Sequence, residues 1–423
     1  MIIDFKEDLV EAKERMKAWW DHELIDRPVI SYYHPKSRGA MGGYLDALGD
    51  DWTLAKDLNT EIINALISFE KRAEKTFYGG ESIPSYFLNY GPGIMAAVFG
   101  VSPHFESETM WFSRPTEPND IIKVLEEVKL NQNNEWYSRL KKATFEGSER
   151  AKEKGYQFGI TDLGGVLDIL SSFLGPTKII LTMKRHPEII DECREIILEK
   201  LLKVYDELYE IISSNCNGFN TWLNVWCPKS WYPVQCDFIA MLNPKWFKRF
   251  VLPDLITQIE HMDYAIHHMD GPYQIPYLDE FLSIDSLSGI QWVPGAGRYP
   301  PGSEEWFPIY KKIQKAGKNV VMDTIPESVP HLYKVFDPKG LYVRVGFSSE
   351  IAANFYLPSF IGGQEGRMIN KSVEWAKKRG LKSVKKEDVT KFLEENNLKI
   401  EPKEVRELLK ETNNCLREKV FFT

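Results

Sequence analysis

The chain has 423 residues, with 53 Lys and Arg against 61 Asp and Glu and a formal charge of −8. It therefore lacks the basic surplus that a nucleic-acid binder uses to displace counterions from phosphates. Apolar residues at 43% and charged residues at 27% are the ordinary mixture of a folded chain with a sizeable core. No run of 18 apolar residues offers a membrane span, and the first residues lack the basic-then-apolar pattern of a secretion signal. The scattered Cys193, Cys216, Cys227, Cys236 and Cys415 make no disulfide framework, which fits a reducing cytoplasm. Aromatic residues are high at 13%, with 12 Trp, and composition leaves open whether they form core or pocket.

Eight segments read as short buried strands. In chain order they are Pro28–Tyr33, Ser85–Tyr90, Gln157–Thr161, Phe219–Val225, Tyr264–His268, Gly289–Val293, Asn319–Met322 and Leu341–Val345. Helical patterns separate them, the clearest being Ile189–Ser213, with aliphatic residues at spacings of three and four. Strands alternating with helices predict α/β architecture with parallel strands, and eight units predict a (β/α)8 TIM barrel over residues 1–362. A single miscounted strand would give a doubly wound sheet instead. Wide spacing in the first half implies long loop insertions at Ala40–Asp51 and Gly91–Pro115, as lids or as packing and oligomer elements. Residues 363–423 are rich in both signs of charge and predict a helical C-terminal extension, with helices at Lys386–Asn396 and Pro402–Thr412.

Strand parity selects the candidate chemistry. Arg344 alternates with Val343 and Val345, so it points inward, where a guanidinium needs an anion. Asp323 at the preceding strand end is one partner, and an acidic substrate is the other. Trp222, Asn224 and Trp226 share one side of their segment, and with Trp231 they form either an aromatic pocket wall or core filler. Gln291 and Arg298 are further candidate substrate contacts. In Tyr264-Ala-Ile-His-His-Met-Asp-Gly-Pro272, His268 and Asp270 point to the same side and His267 to the other. With Cys236, and with Cys227 nearby, they could hold Zn²⁺ through nitrogen, sulfur and carboxylate. A His–Asp hydrogen bond beside buried thiols explains the same residues without metal.

The segment from Asp237 to Asp254 (DFIAMLNPKWFKRFVLPD) resembles the uroporphyrinogen decarboxylase superfamily, with its D-F-x-x-x-L-x-P-x-x-F-x-x-F-x-x-P string. His268-Met-Asp-Gly271 is similar to the H-x-C-G motif of the superfamily's corrinoid-dependent methyltransferase branch, with Asp270 in place of Cys. Arg27-Pro-Val and Leu174-Gly-Pro extend the likeness over residues 20–360. True decarboxylases of the family carry an arginine-rich P-W-x-M-R-Q-A-G-R element, where this chain has Pro28 to Arg38 (PVISYYHPKSR). Their G-F-x-G-A-P element is replaced here by Thr161-Asp-Leu-Gly-Gly165. The methyltransferase branch implies a zinc site, with His268 carried over as a ligand. Its final Cys is missing from Val345-Gly-Phe-Ser-Ser349, and Cys236 would have to supply the thiolate.

Three functions follow as expectations. The first is zinc-dependent methyl transfer from a corrinoid protein or a small methylated donor to a thiol, with His268, Cys236 and Asp270 on the metal. The second is cofactor-free decarboxylation of an anion, with Arg344 or Arg298 on the carboxylate and Asp162 or Asp270 facing developing positive charge. The third is a binding protein with a degenerate site. A cytoplasmic homodimer acting on a small molecule is the expected setting.

Overall fold

The computed structural model describes residues 5–36, 61–105, 110–113, 115–357, 361, 364–398 and 402–418, so the predicted insertion at Ala40–Asp51 lies outside the described residues. Strands form where β-branched and aromatic residues cluster. They are β1 (Val29–Pro35), β2 (Thr76–Gly80), β3 (Ser85–Phe87), β4 (Ser102–Phe105), β5 (Met110–Ser113), β6 (Gln157–Gly159), β7 (Trp231–Val234), β8 (Tyr264–Asp270), β9 (Gly289–Val293), β10 (Asn319–Asp323) and β11 (Leu341–Gly346). A seven-stranded sheet runs β2-β1-β11-β10-β9-β8-β7, parallel throughout except for β2, which lies antiparallel on β1. β3 and β6 make a separate parallel pair, and β4 and β5 an antiparallel hairpin inside the predicted insertion. The fold is thus mixed α/β with a largely parallel sheet.

Seven predicted strands match observed ones within a few residues, and one does not. Phe219–Val225 meets its neighbours only through isolated bridges, Asn220 to Gly159 and Phe219 to Cys227. Between them the chain turns: Leu223 N donates to Thr221 Oγ1 (3.2 Å), Asn224 N donates to Thr221 O (2.9 Å), and Asn224 has φ +53°. Such side-chain and left-handed turns interrupt a strand. The strand that takes this place is β7, which contains Pro233. Proline is tolerated there because β7 is an edge strand, paired with β8 alone among the described ladders.

Helices cover the sheet. The first is α1 (Leu9–Trp20), which carries Trp19 and Trp20 under the amino ends of the strands. Trp19 Nε1 donates to Gly340 O (3.0 Å) and Trp20 Nε1 to Trp226 O (2.9 Å), while Asn319 Nδ2 returns a bond to Trp19 O (2.8 Å). Trp20 packs on Trp231 and Tyr264, and Trp19 on Tyr342, with ring centroids 5.0–5.4 Å apart. Full burial of each such ring stabilises the fold by roughly 1.5–3 kcal/mol. That end of the sheet is therefore sealed.

Further along, α2 (Glu135–Lys154), α3 (Val166–Arg185) and α4 (Pro187–Asn215) pack beside one another. The buried stripe of α4 (Ile190, Ile197, Leu201, Tyr205, Leu208) is the one its periodicity predicts. By length and composition α3 could cross a bilayer, but Gly175 at φ +71°, followed by Pro176, breaks it in two. After β11, α5 (Glu350–Tyr356) leads to α6 (Gln364–Lys378), α7 (Lys386–Glu395) and α8 (Pro402–Glu418). These last three enclose a small core of their own, with Trp375, Val389, Phe392 and Leu408, separate from the main one.

Candidate active site

The carboxyl ends of the strands carry the polar side chains. His268 on β8 lies beside Gln291 on β9, and Asp323 on β10 beside Arg344 on β11. Each strand thus presents one polar residue to the next, and the four join in a line. His268 Nδ1 meets Gln291 Oε1 at 2.6 Å, and Gln291 Nε2 donates to Asp323 Oδ2 at 2.9 Å. Arg344 grips Asp323 with both Nε (2.9 Å) and Nη2 (2.6 Å), and its Nη1 donates to the carbonyl of Leu223. The predicted Arg344–Asp323 pair is present, so the carboxylate-binding role expected of Arg344 loses its basis.

The line fixes a proton. Asp323, ion-paired to Arg344, only accepts, so the Gln291 NH₂ must face it and the Gln291 oxygen must face His268. That oxygen accepts from Nδ1–H, so in the neutral tautomer the lone pair is on Nε2. Gln291, expected to touch substrate, instead orients the imidazole. His267, on the opposite face, is buried against Phe281 with Nε2 on Gln274 (3.1 Å). Burial pushes its pKa down to about 3, so it stays neutral.

Around His268 stand Trp222 and three carboxylates. The Trp222 ring meets His268 edge to face at 4.9 Å. Asp162 follows β6, and its Oδ1 accepts from Gly164 N (2.8 Å), Tyr232 OH (3.2 Å) and Gln235 Nε2 (3.0 Å). Gly164 can aim that N–H because it adopts φ +85°. Burial raises the Asp162 pKa, while those donors and His268 pull it back. Asp237, after β7, is raised by desolvation, lowered by His268 and raised again by Asp270. Asp270 ends β8, two residues beyond His268 and so on the same face. At the other end of the line a cavity of about 450 Å³ opens between Asp323, Arg344, Tyr33, Thr324 and Phe347.

Several predicted site residues lie elsewhere. Trp226 is buried at the amino end, its Nε1 on Asn217 O (3.2 Å) and Lys13 Nζ 4.8 Å from its ring. Trp231 is fully buried against Trp20. Both are core, because the alternation read into residues 219–225 does not exist. Asn224 accepts from Asn220 Nδ2 (2.9 Å) within the turn. Arg298 is exposed in the loop after β9.

The zinc set is not assembled. Among the described residues no three His, Cys, Asp or Glu side chains converge as ligands. Cys236 starts a short helix and lies with Val166, Leu167, Phe250 and Val251, on the helix side of the strand ends. Burial, with Asp168 and Asp237 nearby, pushes its thiol well above the usual range, the reverse of what a metal ligand needs. Cys227 is buried at the amino end and raised likewise. Sequence reasoning also missed Gln235, Asp237 and Asp168. The signal for them was β7: once Trp231–Val234 is a strand, the residues after it stand at the mouth.

The chain matches no family model and no curated protein. Its fold is similar to that of a methyltransferase from Methanosarcina mazei. The TM-score is 0.53 at 10% identity, over 80% of this chain and 93% of that one. A likeness at that identity is one of fold alone.

Proposed function

We propose that this chain is a methyl-transfer enzyme of the uroporphyrinogen decarboxylase superfamily, built on a (β/α)8 barrel of β1, β3, β6, β7, β8, β9, β10 and β11. The barrel reading is supported by the six parallel strands from β1 to β7 in the larger sheet, by the parallel pair β3 and β6, and by contacts between the two groups, Arg344 to Leu223 O and Tyr232 to Asp162. The observation that carries the function is the line from Arg344 through Asp323 and Gln291 to His268, which leaves one imidazole lone pair facing an aromatic, carboxylate-lined mouth.

In this reading His268 Nε2 takes the proton of a thiol acceptor as its sulfur attacks the methyl carbon. Asp162 and Asp237 face the imidazolium that forms, and the Gln291 carbonyl keeps its Nδ1–H in place. General-base assistance of this kind contributes about 10²–10⁴-fold. No step passes through a metal, since the residues present do not fit the zinc set. Decarboxylation of an anion has lost its arginine to Asp323. A degenerate binding protein would have little reason to keep buried polar groups in a fully bonded line.

The test is methyl transfer from a methylated corrinoid to a thiol, read by loss of the cobalt–carbon absorption. His268→Ala and His268→Gln should each lower kcat by at least about 100-fold. Transfer at the wild-type rate in both variants would remove His268, and with it this reading.

A further inference from the structure

The Asp162 carboxylate is aimed by groups from another strand. Tyr232 OH and Gln235 Nε2 both donate to its Oδ1, at 3.2 and 3.0 Å, and Tyr232 OH also accepts from Leu163 N at 2.7 Å. Tyr232 is held by its place in β7, in register with Ala265 of β8. Gln235 lies past Val234, the last residue of β7 in that register, so the ladder does not hold it. Two features at the start of α3 do. Asp168, in the first turn, accepts from Phe238 N (2.8 Å) on Oδ1 and from Asp237 N (3.0 Å) on Oδ2. Gly165, just before the helix, lets the turn come close: a Cβ there would stand 2.6 Å from Gln235 O and 3.2 Å from Cys236 Cα. Its φ of −91° is open to any residue, so close approach rather than backbone strain is what the glycine serves.

A carboxylate in the first turn of a helix ordinarily serves that helix, by its charge and by reaching back to the N–H ahead of it. The bonds of Asp168 go to another segment instead, one N–H on each oxygen. We propose that Asp168 is a positioning residue of the mouth: seated against Gly165, it clamps the turn at residues 235–238, and so fixes where Gln235 holds Asp162 and where Asp237 stands. Groups that meet a developing charge act well only when held within about 0.5 Å of the productive place, and that support comes from the residues behind them. Asp168 touches no reacting atom, and its whole effect passes through Gln235 and Asp237.

The inference rests on the methyl-transfer reading for the charge that these carboxylates meet, the imidazolium of His268. That charge arises after the ligands have bound, as the proton leaves the thiol. A loosened clamp therefore lowers kcat and leaves KM nearly unchanged. Loss of a merely structural tie would lower the unfolding free energy and leave kcat of the folded chain where it was. The clamp also has a signature that needs no reaction. The imidazole signal of His268, on which Asp162 and Asp237 act electrostatically, moves when the turn is released.

The test combines methyl transfer from methylcobalamin to 2-mercaptoethanol, deuterium exchange of residues 231–241, and the imidazole ¹⁵N signals of the full chain. Asp168→Leu, which keeps no acceptor, should speed exchange in that segment about tenfold or more and move the His268 signal. It should lower kcat about 10–100-fold, with KM within about threefold of wild type. Asp168→Asn keeps a carbonyl for one of the two N–H groups and should recover most of the rate and of the His268 signal. Gly165→Ala leaves every hydrogen-bonding group in place and pushes the turn outward, so it should lower kcat about tenfold. It carries the test should Asp168→Leu fail to fold. Wild-type kcat in Asp168→Leu and Gly165→Ala, or an unmoved His268 signal in both, would overturn the proposal and leave the methyl-transfer reading standing. A wild-type chain that transfers no methyl group, with exchange and His268 signal changing as stated, removes that reading and leaves the clamp.

Discussion

At the amino ends of the strands, Trp19 and Trp20 meet Trp231, Tyr264 and Tyr342, and their indole N–H groups end on backbone carbonyls. At the carboxyl ends the same strands carry His268, Asp270, Gln291, Asp323 and Arg344, with Trp222 as the aromatic partner of His268. One end is apolar and closed, and the other is polar and opens into a cavity of about 450 Å³. The difference shows that an aromatic excess says little about a pocket. What marks the mouth is polarity at strand ends, where each side chain is bonded to a residue on the next strand.

Mutations at the two ends should separate stability from chemistry. Trp20→Ala leaves a void under the sheet and should lower unfolding free energy by about 3–5 kcal/mol in a urea titration. The methyl-transfer rate should stay within twofold of wild type, because the carboxyl end is untouched. A drop in rate matching the drop in stability would break the comparison. Arg344→Leu leaves Asp323 half-buried without its cation and should cost up to about 3–5 kcal/mol. Here activity should fall as well, since Asp323 holds the Gln291 amide. The double variant Arg344→Leu with Asp323→Leu should recover part of the stability and none of the activity.

Gln291→Leu sharpens the comparison within the carboxyl end. It removes the acceptor of the His268 Nδ1–H while keeping the volume, so the imidazole is free to flip or change tautomer. Losing such an orienting partner should lower kcat about 10–100-fold, with KM little changed. Gln291→Glu should restore an acceptor and part of the rate. Unfolding free energy should move far less than in Arg344→Leu.

Much of this was legible in the sequence. Parity alone separated His268 from His267 and paired Arg344 with Asp323, because side chains in a regular strand alternate and buried charges need partners. The error lay where the strand is not regular. Thr221 to Val225 alternate as a strand would, but Thr221 and Asn224 turn the backbone through local bonds that a periodicity cannot register. The real strand, Trp231–Val234, is short and contains Pro233, which argues against a strand until its edge position is known. That misplacement carried Trp226, Trp231 and Cys236 into a site they do not join. Asp162 was found, but two of the three donors to its Oδ1 come from β7 and the segment after it, and such a convergence exists only in the fold.

The carboxyl end should also betray itself through pH. Asp168 in the first turn of α3 accepts from Asp237 N (3.0 Å) and Phe238 N (2.8 Å), tying the β7 loop to the helix. Burial raises its pKa to about 7, and the Asp237 charge adds to the rise, while the two N–H donors pull it back. A carboxyl with a raised folded pKa binds its proton more tightly folded than unfolded. Its contribution to stability is therefore full below the unfolded value near 4 and is lost as pH rises through about 7. Over that window the wild-type chain should lose stability relative to Asp168→Asn, with a slope of at most about 1.4 kcal/mol per pH unit for this one proton. The Asn carbonyl can still accept one of the two N–H groups, so the loop stays tied. Unfolding titrations of both chains at pH 4.5, 6 and 7.5 should diverge steadily. Parallel curves would mean that Asp168 is already solvated, and that its burial beside Asp237 does not shape the pH dependence of the carboxyl end.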